Sequence, residues 1–495
     1  MDNYLIIDIG TSSLRAALLD ETRKIRDMRV IKRTAPECFS AEAEWDTILK
    51  LIKELCDDKK NNSNNNNEDH MISLKAVSVS SLLGWVPVDS EGNAVSCCFS
   101  YMHKSPEIFN RIINNKETAK RYYRIGCRRP APEQPAFKLA ELKEKQPEVY
   151  DKTAAYLSLK DYINLRLTGR CCMDTTTAGY TMLYDVDKNC WSDELCNEFG
   201  VDIAKLPELV SPWKPVGQLR PEICSILGIK ESCPVAASGP DGSCGILGAG
   251  GVEPGCFVSV MGTTDTSFLV TDKLPFDASG SLVVNPHVIP GKYIIGGPMG
   301  MYGGTLEWFT DHIMFRSADL GTLNKLAADV PEGSDGVMAF PTLAGERTPF
   351  WNAGLLGAFY GMKYEHNAGH LFRAMLEANA YATRRIKEIA EDAGVEINDV
   401  IASGGGSQSD LWLQIKADVM KLPVKRSEVK EATLEGAAIL AQLASGKDIS
   451  SICDDVADDG ADGGGHIFSP DAAAGAAYDS AYKCYMRVHD KLAEL

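Results

Sequence analysis

Two turns about 250 residues apart carry the same set of donors: Asp8-Ile9-Gly10-Thr11-Ser12-Ser13, and Met261-Gly262-Thr263-Thr264-Asp265. Each ends an apolar run and is followed by a second strand-like run, Leu14 to Leu19 and Ser267 to Val270, so each reads as a hairpin with glycine and hydroxyls at its tip. Free backbone N–H groups and side-chain hydroxyls on so tight a tip suit a cluster of polyphosphate oxygens. Two such tips facing each other would grip one nucleotide. Asp8 ends an apolar strand, where a carboxylate is costly unless its charge meets a cation. A third feature, Ser238-Gly239-Pro240-Asp241-Gly242, reads on its residues alone as a Pro-Asp-Gly turn.

The elements that must position these residues alternate between two periods. Tyr4 to Asp8, Leu14 to Leu19 and Ile25 to Arg33 are predicted strands, and Trp45, Ile48, Leu49, Ile52 and Leu55 lie at helical spacing. A polar tract, Asn61 to Asn67, is expected to be a surface loop before a strand from Ala76 to Ser80. Strands, amphipathic helix and return strand are the order of an α/β layer. The second half repeats that grammar from Phe257. Its long helix is predicted from about Ala368 to Ala393, with Gly394 as the stop. The strand Val400-Ile401-Ala402 then runs into Ser403-Gly404-Gly405-Gly406-Ser407, with a helix beginning near Ser409-Asp410-Leu411-Trp412. Strand, glycine turn and helix let a ligand approach backbone and a helix N-terminus closely. The glycine-rich stretch Gly245 to Gly255 marks a boundary, giving domains 1–247 and 248–495. The acidic stretch Asp454 to Gly465 reads as a solvated loop.

A chain of 495 residues is too long for one core. Its formal charge of −17 argues against nucleic acid or an anionic membrane as partner, since both need a basic face. No apolar run approaches the roughly 20 residues of a membrane span, and Met1-Asp2-Asn3 lacks a basic leader, so a cytoplasmic location is expected. The fifteen cysteines are scattered and odd in number, without a Cys-x-x-Cys spacing, and are expected to be reduced and mostly buried.

In order and spacing these motifs resemble the FGGY carbohydrate kinases. The resemblance covers Asp8 to Arg15, Leu159-Lys160-Asp161-Tyr162 with Leu167-Thr168-Gly169 and Asp193, Gly345-Glu346-Arg347-Thr348-Pro349, Leu356 to Gly361, Gly404 to Trp412, and Glu431 to Ala438. It implies a two-domain α/β fold, actin-like and built on a duplicated ribonuclease-H-like unit, with a cleft between the domains. The implied activity is ATP-dependent phosphorylation of a sugar hydroxyl, with Mg²⁺ and with a ketose such as a pentulose as acceptor. Under it Asp241 becomes the base that accepts the hydroxyl proton. Asp8 is assigned to Mg²⁺, directly or through water. Thr11, Ser12, Ser13, Gly262, Thr263 and Thr264 are donors to phosphate, and Arg15 is a cation on the nucleotide side. The adenosine half of ATP is expected against Gly405, Gly406 and Ser409, with Gly303 at the other nucleotide position. The expected partners are ATP and a small sugar, with no nucleic acid and no membrane; a homodimer is left open.

The resemblance thins at the sugar. Where glycerol kinases carry an Arg-Glu pair and xylulose kinases a Met-His pair, this chain reads Leu82-Leu83. Losing buried polar partners there shifts specificity steeply. Leu83, His103, Asp241 and Gly242 are the expected sugar contacts, with His103 or Lys104 facing an anionic or modified sugar, or else lying on the surface. Asp265 is a carboxylate beside phosphates, so it either points away or helps hold the metal. Val284 to Gly291 with Val429 to Thr433 resembles the autoinducer-2 kinase branch, which leaves polyols, sugar acids, hexuloses and autoinducer-2-like ketones as alternative substrates. An actin-like or chaperone-like ATPase and a non-catalytic sugar sensor are the alternatives from other classes.

Overall fold

In the computed structural model of the chain, residues 3–62, 72–453 and 466–494 are described. They form two compact units. The first comprises Met1–Gly248, Asn285–Gly291 and Glu431–Val456; the second comprises Ala249–Val284, Lys292–Lys430 and Ala457–Leu495. Residues 63–67 of the polar tract and the stretch 454–465 lie outside the described residues.

The first unit is built on a six-stranded sheet whose centre is the strand Asn3–Ile9. This strand pairs antiparallel with Ser13–Leu19 and parallel with Leu74–Ser81. The parallel register sets Asp8 beside Ser80, so both side chains emerge at the same carboxyl edge of the sheet. Helices supply the cover: Ala41–Asn62 buries Trp45, Ile48, Ile52 and Leu55 against one face. The near-continuous apolar run Leu5-Ile6-Ile7 is what a strand buried on both faces requires.

Helices Asp241–Gly248 and Ala432–Ala444 cross at glycines. A Cβ on Gly436 would stand 1.9 Å from the Cys244 carbonyl oxygen, and one on Gly248 1.9 Å from that of Ala432. Both obstacles are backbone, so neither can swing away. Because Asp241 opens the first of these helices, their separation sets where its carboxylate lies. Gly436→Ala is therefore expected to cost about 3 kcal/mol of stability, an overpacking penalty at the upper end of its usual range, and to lower kcat as well. Thermal melting and steady-state rates on the same preparation check this.

The second unit repeats the strand pattern. The strand Cys256–Met261 pairs antiparallel with Asp265–Thr271 and parallel with Asp399–Ser403. The long helix spans Ala368–Asp392, and Gly394 follows it at φ 81°, the left-handed conformation that stops a helix without a Cβ penalty.

The cysteines depart from expectation at one place. Cys38 and Cys97 form a disulfide with 5.8 Å between their Cα atoms. The short strand Cys38–Phe39 pairs antiparallel with Cys98–Ser100, placing Phe39 opposite Cys98 and so Cys97 within reach of Cys38. A pairing across 59 residues of chain has no local signature. Most of the other cysteines among the described residues are buried thiols.

Candidate active site

At the carboxyl edge of the first sheet, Asp8 is 4 % exposed and accepts a hydrogen bond from Ser80 Oγ at 2.9 Å. Arg15 Nη1 lies 3.6 Å from its other oxygen but only 2.8 Å from Glu431, so that cation is shared. Burial, and then the negative charge of Asp241, push the Asp8 pKa up to about 7; the Ser80 hydroxyl and Arg15 recover only part of the shift. Asp241 opens the helix Asp241–Gly248, accepts the Gly242 N–H at 2.7 Å, and is likewise raised by burial. Two carboxylates that raise each other's cost in one place are a signature of function rather than of packing.

The loop before Asp241 is held from behind. Lys160 Nζ donates to the Ala237 carbonyl at 3.1 Å and Asn164 Nδ2 to the same oxygen at 3.2 Å, while Ser78 Oγ donates to Ser238 Oγ at 3.0 Å. Ser238 takes φ 61°, a strained choice for a residue with a Cβ, which this packing over-determines. Lys160 is itself clamped between Asp161, at 2.5 Å, and Asp174, at 2.6 Å.

The tip of the first hairpin is open. Gly10 N–H donates to the Ser13 carbonyl at 2.9 Å, Ser12 is exposed, Thr11 and Ser13 are half-exposed, and Thr11 Oγ1 lies 3.3 Å from Tyr101 Oη. Gly242 is exposed and Leu83 half-buried. His103 Nε2 lies 3.1 Å from Glu141 and its ring packs on Phe99.

Within the second unit, Thr263 and Thr264 are exposed at the tip of the other hairpin. Gly303 seats against it so closely that a Cβ there would stand 2.2 Å from the Gly262 carbonyl oxygen, and the Gly304 N–H donates to Thr263 at 3.0 Å. Gly404, at φ 87°, brings the glycine turn beside Met261, where a Cβ would meet the backbone oxygen at 2.7 Å. Gly262, Thr263, Gly303 and the turn holding Gly405 and Gly406 thus converge. Ser409 caps the helix Asp410–Met420 through the Trp412 N–H and donates its hydroxyl to Asn324 at 2.7 Å. Asp265 points away from the tip: it is fully buried and accepts a hydrogen bond from Asn379 Nδ2 at 2.8 Å.

Sequence reasoning missed Ser80 and Glu431 as partners of Asp8 and Arg15. The strand register carries the first, which a pattern of alternating apolar residues hints at; the second spans 416 residues and has no local signal.

Asp8, a hard oxygen donor whose charge the shared arginine only partly offsets, fits a divalent cation such as Mg²⁺. A second donor cluster, Asp335, His366 and His370, lies within 4.8 Å in the second unit. Nδ1 of each ring accepts a backbone N–H, His366 from Lys363 and His370 from Asn367, and His366 Nε2 lies 3.3 Å from Asp335. That cluster reads as a hydrogen-bonded cap.

The model of the FGGY family of carbohydrate kinases, N-terminal domain, matches residues 3–248, and that of its C-terminal domain matches residues 257–445. The chain belongs to this family. Among curated relatives, a xylulose kinase of Bacillus subtilis is 31% identical over 309 residues, 62% of each chain. A gluconokinase of Bacillus licheniformis is 26% identical over 462 residues, covering 90% of this chain and 88% of the relative. The fold matches that of a solved xylulose kinase from Lactobacillus acidophilus, at TM-score 0.88 and 21% identity over 100% of this chain and 99% of that one. No helix among the described residues is long and apolar enough to cross a membrane.

Proposed function

We propose that this FGGY kinase transfers the γ-phosphoryl group of ATP to a hydroxyl of a small sugar, with Asp241 as the general base. The observation that carries this reading is the pairing of Asp8 with Asp241, two undercompensated carboxylates beside a hairpin tip of open donors. Asp241 accepts the proton of the attacking hydroxyl, which makes the oxygen a nucleophile as the phosphorus is approached. Asp8 holds the metal, which when bound offsets charge on the phosphates. Thr11, Ser12, Ser13 and Arg15 in one unit, and Gly262, Thr263 and Thr264 in the other, are assigned to phosphate; Gly303, Gly405, Gly406 and Ser409 are assigned to the nucleoside. Gly242 and Leu83 line the acceptor. His103 holds Glu141, so a direct sugar contact from it would require that pair to open.

The acceptor classes are those in the relatives' names: a ketose of the xylulose kind, and a sugar acid. The test is ADP release from ATP and Mg²⁺ with a panel of ketoses, aldoses, alditols and aldonates. ADP that appears only with one acceptor class supports the kinase. ADP released equally without any sugar contradicts it in favour of an ATPase.

The pKa shifts set the pH dependence. A base must be ionised to act, and burial holds Asp241 above the ordinary carboxylate value, as it holds Asp8. The acid limb of kcat/KM is therefore expected well above pH 4, the ordinary carboxylate range, with apparent values that belong to the pair. Stability runs the other way. A carboxyl with a raised folded pKa binds its proton more tightly in the folded state, so its contribution is present at low pH and lost as pH rises towards about 7. Asp8→Asn is expected to raise the metal-free melting temperature at pH 8 by on the order of 5 °C, and to leave it nearly unchanged at pH 4.

A further inference from the structure

Arg128 is 8 % exposed, yet among the described residues no carboxylate lies within 4.0 Å of its guanidinium. Among the described residues, Lys160 is answered by two aspartates and Arg373 by Glu377 at 2.9 Å, whereas Lys138 donates to the Ser100 carbonyl at 2.7 Å and Lys416 to the Ser259 and Thr383 hydroxyls. Arg128 instead donates from Nη2 to a neutral amide, Asn285 Oδ1 at 2.9 Å, and its Cζ sits 4.3 Å over the ring of Tyr180. A buried guanidinium without a carboxylate in contact is costly, and burial holds its pKa below the ordinary arginine range, with the more distant charge of Glu133 and the Tyr180 hydroxyl recovering only part of the shift. The adjacent Arg129, exposed, has no ion pair among the described residues either, in a chain of net charge −17.

The unanswered groups around it are donors. Arg128 Nε, Asn285 Nδ2 and the hydroxyls of Thr176 and Thr177 are buried without a hydrogen-bond partner. Asn285 links them: it accepts from Arg128 and packs against the end of the helix that carries the two threonines. Thr176 and Thr177 lie on the short helix Thr175–Gly179, which leads into Tyr180, and a Cβ on Gly179 would stand 2.9 Å from Asn285 Oδ1. The cluster also adjoins the catalytic loop: Val288, three residues after Asn285, packs where a Cβ on Gly239 would be 2.6 Å away, two residues before Asp241.

We propose that Arg128 and Asn285 form an anion subsite of the acceptor pocket, and that the preferred acceptor is a polyhydroxylated sugar bearing a carboxylate. This rests on the kinase reading and narrows its substrate class. Guanidinium and amide N–H donors match a planar carboxylate, and bidentate recognition of that kind rejects a neutral analogue strongly because the buried donors would stay unpaired. A phosphate ester is also an anion that a guanidinium can bind through two oxygens, so the test includes one.

The test compares kcat/KM, in ATP and Mg²⁺, for xylonate and gluconate against their matched alditols, xylitol and sorbitol, and against sorbitol 6-phosphate as the arm that carries a phosphate ester and no carboxylate. The wild type is expected to favour the aldonate over its alditol by at least about 100-fold, a bidentate ionic contact left unpaired in the analogue. Asn285→Asp, which gives Arg128 a carboxylate of its own, is expected to raise the melting temperature while cutting that ratio to about 1. Arg128→Lys, which keeps the charge but not the fork, is expected to retain an intermediate ratio.

A wild-type ratio near 1, or a ratio unmoved by Asn285→Asp in a variant that melts higher, overturns the subsite while leaving the kinase intact. A preference for the phosphate ester over the aldonate assigns the site to phosphate and overturns the carboxylate. If no acceptor supports turnover, the kinase reading fails separately. Calorimetric titration of gluconate into wild type and Asn285→Asp then decides the subsite: equal affinities, or binding to neither, overturn it.

Discussion

Asp241→Asn is expected to lower kcat by about 10³-fold, the middle of the range for removing a positioned general base, while the affinity for ATP changes by less than about threefold. The substitution keeps the shape of the side chain and its contact with the Gly242 N–H region, so the helix Asp241–Gly248 retains its seat against Ala432–Ala444. It removes one of the two interacting charges. The asparagine variant should therefore also melt higher than the parent near neutral pH, because Asp8 no longer faces a second carboxylate. A loss of activity coupled to a gain in stability separates a catalytic carboxylate from a turn residue, for which both quantities would fall together or not at all. Turnover equal to the parent would remove Asp241 from the chemistry.

Lys160→Met is expected to be the most destabilising of these changes, by about 3 to 5 kcal/mol, the usual cost of breaking a buried ion pair from one side. The substitution strands Asp161, 1 % exposed, and Asp174, fully buried, with no cation between them. Burial works against the Lys160 charge, but the two carboxylates outweigh it and hold its pKa above the ordinary lysine value. The loss should shrink as the pH is lowered, since the stranded aspartates can then bind protons. Denaturant melts at pH 5 and pH 8 measure this, and an equal loss at both would point to packing of the aliphatic stem instead. Because Lys160 also holds the Ala237 carbonyl, kcat is expected to fall in whatever fraction remains folded.

Much of this arrangement was legible in the sequence, and the reasons are local. The hairpins could be read because glycine and hydroxyl tips break two strong apolar runs, and the long helix because its period of apolar residues persists from Ala368 and ends at Gly394. The FGGY motifs were legible for the same reason: each is a contiguous stretch. Asp265 needed the structure, since the choice between turning inward to Asn379 and outward to phosphate depends on a helix more than a hundred residues away. Glu431, the Cys38–Cys97 bond and the company of Arg128 were illegible on the same ground: each joins residues whose proximity arises only from sheet register or helix packing. The polarity of a single buried arginine, read along the chain, looks like any surface arginine.

The fate of the γ-phosphoryl group separates a sugar kinase from an ATPase most directly. Phosphorus-31 spectra of the enzyme with ATP, Mg²⁺ and the best acceptor of the panel should show a sugar phosphate ester growing in step with ADP, and the Asp241→Asn enzyme should form neither. Inorganic phosphate growing in step with ADP, with no ester signal for any acceptor, would contradict it.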